Sequence, residues 1–596
     1  MNAVSPALQA GESVVATVTV DGKVLDTDRI VSIESWNEAN RLPRSRIVIY
    51  DGDPSSGKFP LSDSAVFAPG AKVTIAAGYG SDSAVLHSGI VIRHSLRIVP
   101  GEASQLVVET ANRLIAMTLD RSDLVVTNLS DRELIAKLIG GHGGSIDKNE
   151  ASGDPIEGVV QYQAADWDLL LLRAEANGCI VIIDDAKVNI VAPPADGTAV
   201  ATIAYGDAII AFEASVDATA EYAQSAVKSR SWNYATQALG EAGAKAVDVA
   251  IPGNFDPSTL ARDMGDLPLV QQTGAFLTDA QLAGWSTARL MRARLAEVRG
   301  SARVQGDSAI KPGSFVALGG LGQRFDGKAF VSGVRHDIRD GGWTTSVDIG
   351  MAPDGFASRN PDIAYPPAAG LVPPIRGLHT GQVKQIATDP KGEFRVLVAL
   401  PLTGLPDGVW ARLGQIYASA GFGALFFPEV GDEVVLGFMD EDPANPVVLG
   451  SLYSSKRAPA DPPPNDANDA KAIVTRSRLS IGFDDKEKKL KISTPHCSIL
   501  LDDEGSITIT DPKNSVVMNS DGVKITSGSS LTLKSAQDMI LDCGASLTLK
   551  GAAKIALSAP EVAAKASGTL SISSGGMGEL KAAAVLTVGG ALVKIN

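Results

Sequence analysis

Apolar and polar residues alternate in short runs along most of this chain, and Gly, Asp, Asn and Pro punctuate the runs. Period-two alternation of that length marks strands with one buried face. Residues 14–20, 46–50, 71–77, 105–109, 179–183, 330–334 and 344–349 read as strands on this basis. Helical spacing occurs in a few segments. Ser130 with Glu133 makes a capping box ahead of Leu134, Ile135, Leu138 and Ile139, which predicts a helix start. A second helix is expected over 166–177, ending at Gly178, where a left-handed residue costs little. A third, over 279–298, carries Arg289, Arg292 and Arg294, with Arg299 beyond it and Gly300 as its stop. Those arginines are expected on a solvated face or in ion pairs within an assembly.

Proline clusters divide the chain. Tyr365-Pro366-Pro367 and Val372-Pro373-Pro374 precede a module of about 85 residues, and Pro459, Pro462, Pro463 and Pro464 follow it. Inside the module, 377–385, 394–399, 410–413, 433–439 and 446–452 are strand-like, and five short strands suit a Greek-key barrel of the OB type. Its acids, including Asp389, Glu393, Asp407, Glu429, Asp432, Glu433, Asp440, Glu441 and Asp442, outnumber its bases, so a structural use is expected rather than oligonucleotide binding.

Beyond residue 474 the pattern tightens. Apolar residues two apart recur about every eight positions at Val523/Ile525, Leu531/Leu533, Met539/Leu541, Leu547/Leu549 and Ile555/Leu557. Looser versions stand at Ile507/Ile509, Val516/Met518, Leu570/Ile572 and Leu586/Val588. Each unit reads as a very short strand with one apolar face, followed by a Gly, Ser, Ala or Asp turn. Such a strand cannot enclose its own interior, whereas three copies wound about one axis supply the missing walls. The paired residues from Val523 to Leu557 are therefore the expected core of a trimeric triangular prism. A single-chain β-solenoid needs about 20 or more residues per turn, which this period does not supply. A disordered Gly/Ala/Ser tail would not hold apolar pairs in phase over so many units. Near the end, Leu592, Val593 and Ile595 from three chains would form a small apolar platform where a tip protein docks.

Charge and composition exclude several roles. The 596 residues carry 53 Lys plus Arg against 68 Asp plus Glu, a net charge of -15 that removes the clustered positive charge nucleic acid requires. Cys179, Cys497 and Cys543 are odd in number and far apart, so no disulfide framework or CxxC metal site is expected, and a reducing cytoplasm fits. Residues 1–11 carry no secretory signal, and no apolar run approaches the roughly 20 residues of a membrane helix. The expected course is synthesis in the cytoplasm and exit by a route that reads no N-terminal signal.

Catalytic motifs are thin. HExxH, GxSxG and Walker A runs are missing, and His87, His94, His142, His336, His379 and His496 include no pair spaced for a metal on one strand or helical turn. Asp484-Asp485 and Asp502-Asp503-Glu504 sit in turn contexts between short strands. No cofactor and no metal are expected.

Longer motifs carry a family resemblance. Residues 427–438, reading Phe-Pro-Glu-Val-Gly-Asp-Glu-Val-Val-Leu-Gly-Phe, with Asp442-Pro443, the run 446–452, Asp389-Pro390-Lys391-Gly392, Arg395-Val396 and Trp410-Ala411-Arg412, resemble the OB core of VgrG proteins and phage tail spikes. Pro69-Gly70, Gly78-Tyr79-Gly80, Ala165-Asp166-Trp167-Asp168, Glu175, Gly178, Pro312-Gly313 and His336 are similar to the phage tail hub part of that family. The resemblance implies a mainly β chain: hub-like tandem β-barrels with a few helices over 1–370, an OB barrel over 371–456, a linker over 457–475 and a trimeric β-helix needle over 476–596. It also implies a homotrimeric central spike of a contractile injection system, meeting inner tube and baseplate proteins, a PAAR-repeat tip protein, effector cargo and, transiently, a target membrane.

Departures from the family pattern sharpen the expectation. Only about 20 residues, mostly Pro, Ala, Asp and Asn, separate Tyr453 from Val474, where phage spikes can carry a lysozyme domain. The prism pattern is still running at Asn596, where some VgrG proteins continue into an effector. The opening, around Ile33-Glu34-Ser35 and Asp51-Gly52-Asp53, looks closer to extracellular contractile particles than to type VI secretion spikes. A non-enzymatic spike is the leading reading. The alternative is a spike-associated cell-wall hydrolase with an active site that the motifs do not display.

Overall fold

The strands that the alternation predicts near the N-terminus pair with segments from the far end of the same region. In the computed structural model, which describes residues 4–9, 13–185, 187–220, 226–401, 405–460 and 464–595, strand Ile30–Glu38 lies between Arg44–Tyr50 and Gly327–Arg339, antiparallel to both. Pro462, Pro463 and Asn596 lie outside the described residues. The chain forms two compact units, Met1–Leu452 and Tyr453–Asn596.

In the first unit a thirteen-stranded sheet serves two separate cores. One collects Val18, Ile33, Ile47, Ile75, Leu106 and Trp343, and the other Ile203, Val304, Val316, Val331 and Val347. Alternation explains both, because every second residue of these strands faces inward. A third core gathers the helices. Asp131–Gly141 starts at Ser130, whose hydroxyl accepts from the Glu133 amide while the Glu133 carboxylate accepts from the Ser130 amide. Leu134, Ile135, Leu138 and Ile139 of that helix pack with Trp167 and Leu170 of helix Asp166–Ala176. Gly178, at φ +70°, ends the second helix as its position predicts.

The arginine helix, Asp279–Glu297, faces protein rather than solvent. Arg289 donates to the Pro353 carbonyl, Arg292 reaches Glu175 at 3.9 Å, and Arg299 lies 3.7 Å from Asp217. At its last residue the carboxyl of Glu297 is buried, and its Oε2 has no hydrogen-bond partner among the described residues.

Residues 379–451 close into a five-stranded barrel built from His379–Gln385, Val396–Leu400, Leu405–Leu413, Glu433–Phe438 and Pro446–Ser451. Its core is Val383, Val396, Val398, Leu400, Ala411, Val434, Leu436 and Val448. Strand Leu405–Leu413 pairs in parallel with Pro446–Ser451, which closes the barrel and leaves it no lateral edge at that point.

Burial pushes the Glu297 carboxyl up to about 7 from its ordinary 4.5, with Arg294 only partly opposing the shift. The folded state therefore holds a proton that the unfolded state gives up, so this group's contribution to stability is full below pH 4.5 and is lost as pH rises through about 7. Glu297→Gln is expected to stabilise the hub by about 1–3 kcal/mol at alkaline pH and to flatten that slope. The check is the hub's thermal unfolding transition measured across this pH range.

Candidate assembly interface

The second unit begins with strands that fold back on one another. Ala470–Val474, Ser480–Asp484, Lys489–Ser493, Ser498–Asp502, Ile507–Thr510, Ser515–Asn519 and Gly522–Thr526 form a seven-stranded antiparallel meander. The first of these strands falls within the stretch read from its prolines as linker. Four of the reversals use a residue at positive φ, namely Arg478, Lys488, Gly505 and Gly522.

Register places the apolar residues in two continuous rows. Ile473, Ile481, Ile492, Ile499, Ile509, Val516 and Ile525 stand directly opposite one another from strand to strand. Two positions away run Phe483, Leu490, Leu501, Ile507, Met518 and Val523. Residues two apart on a strand share a face, so both rows lie on one side of the sheet. The other side carries Gly482, Lys491, Leu500, Thr508, Val517 and Lys524. Within the single chain no residue of the two rows is buried: Ile499 is 36% exposed and Val523 67%.

Val523 and Ile525, the first of the expected prism residues, thus join the two rows. Leu531, Leu533, Met539, Leu541, Leu547, Leu549, Ile555 and Leu557 are each more than half exposed, and among the described residues no ladder follows Thr526. The strands expected in each later unit have no in-chain partner strand. Among the described residues none beyond Gly522 takes positive φ, whereas four of the six meander reversals use such a residue. Leu592, Val593 and Ile595 are exposed, Ile595 at 91%.

The barrel adds an exposed apolar element that the strand reading passed over. Between Leu413 and Pro428 there is no charged residue, and Ala418–Ser419 pairs with Phe422–Gly423 in a small hairpin. The rings of Tyr417 and Phe422 lie 5.9 Å apart at its base. A side chain at Gly423 would come within 2.6 Å of the Tyr417 carbonyl oxygen, so the hairpin depends on glycine there. The sequence signal was the uncharged, aromatic-rich run itself.

Groups with catalytic potential are placed elsewhere and tied down. Asp485 pairs with Lys471 and Asp503 with Lys488, both on turns of the meander. A buried chain links Ser45 Oγ to Thr110 Oγ1 at 2.6 Å and Thr110 to His87 Nε2 at 2.7 Å, where burial lowers the imidazole to about 4 and keeps it neutral. His336 is likewise lowered to about 4 by burial and bonds Thr345. His94 bonds Ser62 and the Phe67 carbonyl, His142 bonds Asp166, His379 lies against the Arg376 carbonyl, and His496 sits in a meander turn. Among the described residues no cluster of three or more His, Cys, Asp or Glu could hold a metal, and no helix is long and apolar enough to cross a membrane. A cavity of about 560 Å³ in the hub is lined by Glu38, Glu175, Cys179, Arg292 and Asp348 among others. Burial pushes the Cys179 thiol up to about 12, which removes it as a thiolate nucleophile.

The first unit thus combines a β-rich region with a five-stranded OB-type barrel, and the second unit carries an uncovered apolar face. Two family models match: the Alg8 N-terminal domain over residues 10–340, and the Type VI secretion system/phage-baseplate injector OB domain over 379–453. The chain belongs to the Alg8 N-terminal domain family, whose model covers more than half of it, and it is a VgrG-like spike protein. It is 29% identical over 120 residues to the type VI secretion system spike protein VgrG1c of Pseudomonas aeruginosa, covering 19% of this chain and 16% of that relative's length. It is also similar to a tail protein of Neisseria meningitidis, at 14% identity and TM-score 0.43 over 59% of this chain and 99% of the other. A further similar structure is an E. coli component of the type VI secretion system, at 13% identity and TM-score 0.32 over 73% and 99%.

In the barrel, the Arg395 guanidinium and the Lys391, Glu393 and Arg395 amides converge on Asp389 and hold its carboxyl below the usual carboxylate range. The stabilisation is present above the ordinary value of 3.8 and fades as pH falls through it toward the lower folded value. Asp389→Asn is expected to loosen the loop at neutral pH and to remove this acid sensitivity. Limited proteolysis between Asp389 and Arg395, repeated at pH 7 and in acid, checks it.

Proposed function

We propose that the protein is the homotrimeric central spike of a contractile injection system, joining an inner tube and baseplate to a membrane-puncturing needle. The observation that supports this most directly is the pair of apolar rows left uncovered along seven strands. As a permanent solvent face they would invite aggregation. Two copies face to face would leave open sides, whereas three enclose the rows in a prism. The eight-residue period beyond Thr526 fits the same reading, with neighbouring chains supplying the ladder partners that the chain itself does not.

In this reading Leu592, Val593 and Ile595 from three chains seat a PAAR-repeat tip protein, and effectors ride on the spike. The machine is a type VI apparatus or an extracellular contractile particle, and the protein leaves the cytoplasm as part of it. Its role is mechanical rather than catalytic, a reading supported by acid pairs engaged with lysines on turns and a hub cysteine held as thiol.

Sedimentation at micromolar concentration is expected to give a mass near three times 61.7 kDa; a monodisperse monomer sinks the proposal. Ile499→Asp with Ile509→Asp places charge in the enclosed rows and is expected to abolish the trimer, since an unpaired buried charge costs several kcal/mol per chain. Val593→Asp with Ile595→Asp is expected to end tip-protein recruitment while the trimer persists. Peptidoglycan turnover by the purified chain, lost on substituting Asp502 or Asp503, would instead favour a cell-wall hydrolase.

A further inference from the structure

The hub cavity of about 560 Å³ carries two groups of opposite charge in its lining, and the spike reading uses neither. Its size falls within the range of about 300–1,000 Å³ in which proteins hold small ligands.

One group is acidic. Glu38, Gly333 and Asp348 stand side by side on three neighbouring strands, with the glycine in the middle. A Cβ at Gly333 would lie 3.0 Å from Asp348 Oδ2 and 3.0 Å from Glu38 Cγ, so the missing side chain opens a niche between two carboxylates. Arg41 pairs with Glu38 at 2.9 Å but is itself 61% exposed, and among the described residues the Asp348 carboxylate makes no hydrogen bond or ion pair. Asp348 is open to solvent, yet burial by the surrounding protein and the neighbouring Glu38 push its carboxyl up, with Arg41 opposing them. That combination marks a concave wall, and a cation in the niche relieves the repulsion.

The other group is basic. The Arg292 guanidinium lies 3.9 Å from Glu175, beyond hydrogen-bonding distance, and its buried Nε has no hydrogen-bond partner among the described residues. Glu175 meanwhile accepts the Phe356 amide at 2.8 Å. Burial disfavours the charge on Arg292, and Arg289 and Arg359 lie close enough to oppose it further. A desolvated guanidinium with one distant counter-ion favours an incoming carboxylate, which it can bind in a fork. Trp167, Met291, Met351 and Phe356 supply apolar lining.

A ligand with a single charge leaves one group unmet: a cation leaves Arg292, and an anion leaves Glu38 and Asp348. We propose that the cavity binds a short zwitterionic peptide, its ammonium in the niche between Glu38 and Asp348 and its carboxylate on Arg292. Every residue of the site comes from one chain, so the inference stands apart from the trimeric reading.

The test is calorimetric titration of the full chain with the tripeptide Ala-Leu-Ala, for which a Kd of about 0.1–1 mM is expected. Acetylating its amino end and amidating its carboxyl end should each weaken binding by about tenfold or more, the scale of one hydrogen-bonded contact to a charged group. Asp348→Asn should weaken the free peptide to the same degree, make acetylation cost little more, and leave the thermal unfolding transition in place. Arg292→Gln should do the same for amidation; if that variant does not fold, the amidated peptide tests the contact in the unaltered protein. No binding of Ala-Leu-Ala overturns the site. Binding indifferent to both caps, or weakened by one cap alone, overturns the two-ended mode. Binding undiminished by Asp348→Asn places the peptide elsewhere and overturns the inference as well.

Discussion

An apolar sheet face that its own chain does not cover is the constraint on which the rest of the molecule turns. In the hub and the barrel, alternation is resolved within the chain: Val18, Ile47 and Val331 have inward neighbours, and the strands that carry them pair across long sequence separations. In the second unit the same alternation yields two rows of Ile, Leu, Val, Met and Phe with water on them. The hydrophobic term that stabilises any fold is there left incomplete. In the proposed trimer, two further chains meet that deficit.

Polar chemistry is correspondingly subordinate. The charged groups that look functional in sequence are engaged in holding backbone. Asp389 organises a barrel loop with Arg395, Glu175 accepts the Phe356 amide, and the arginines of helix Asp279–Glu297 reach carbonyls and acids of the hub. The histidines follow the same pattern, with His87 and His336 buried as neutral rings bonded to threonines.

Much of this was legible in the sequence, for identifiable reasons. Capping at Ser130 and Glu133 is a local signal, and the helix begins there. The five barrel strands were legible because each is a short apolar alternation between Gly and Pro turns. Other features depend on information that periodicity does not carry. Strand Ala470–Val474 is preceded by a proline-rich stretch that reads as linker, and only its pairing with Ser480–Asp484 reveals it. The repeat was visible from residue 507, but the change from a self-pairing meander to segments without in-chain ladders was not. Positive φ at four of the six meander turns, Arg478, Lys488, Gly505 and Gly522, is itself only half legible, because two of those residues are not glycine. The barrel hairpin escaped because two-residue strands fall below any pattern window, and its apolar tip is meaningful only once it is known to be exposed.

The end of in-chain pairing after Thr526 has a consequence for assembly. A meander pairs strands that are close in sequence, so the ladders of Ala470–Thr526 need little loop closure and can pair early within one chain. The segment beyond it gains nothing by folding alone and, in the proposed trimer, must wind with two others in a common phase. An eight-residue repeat winds almost equally well when slipped by one unit, which makes register the hard problem of its formation. In the proposed trimer, three meanders meeting through unlike rows would align their chains before the repeats engage, acting as a starting block from which winding proceeds in one direction.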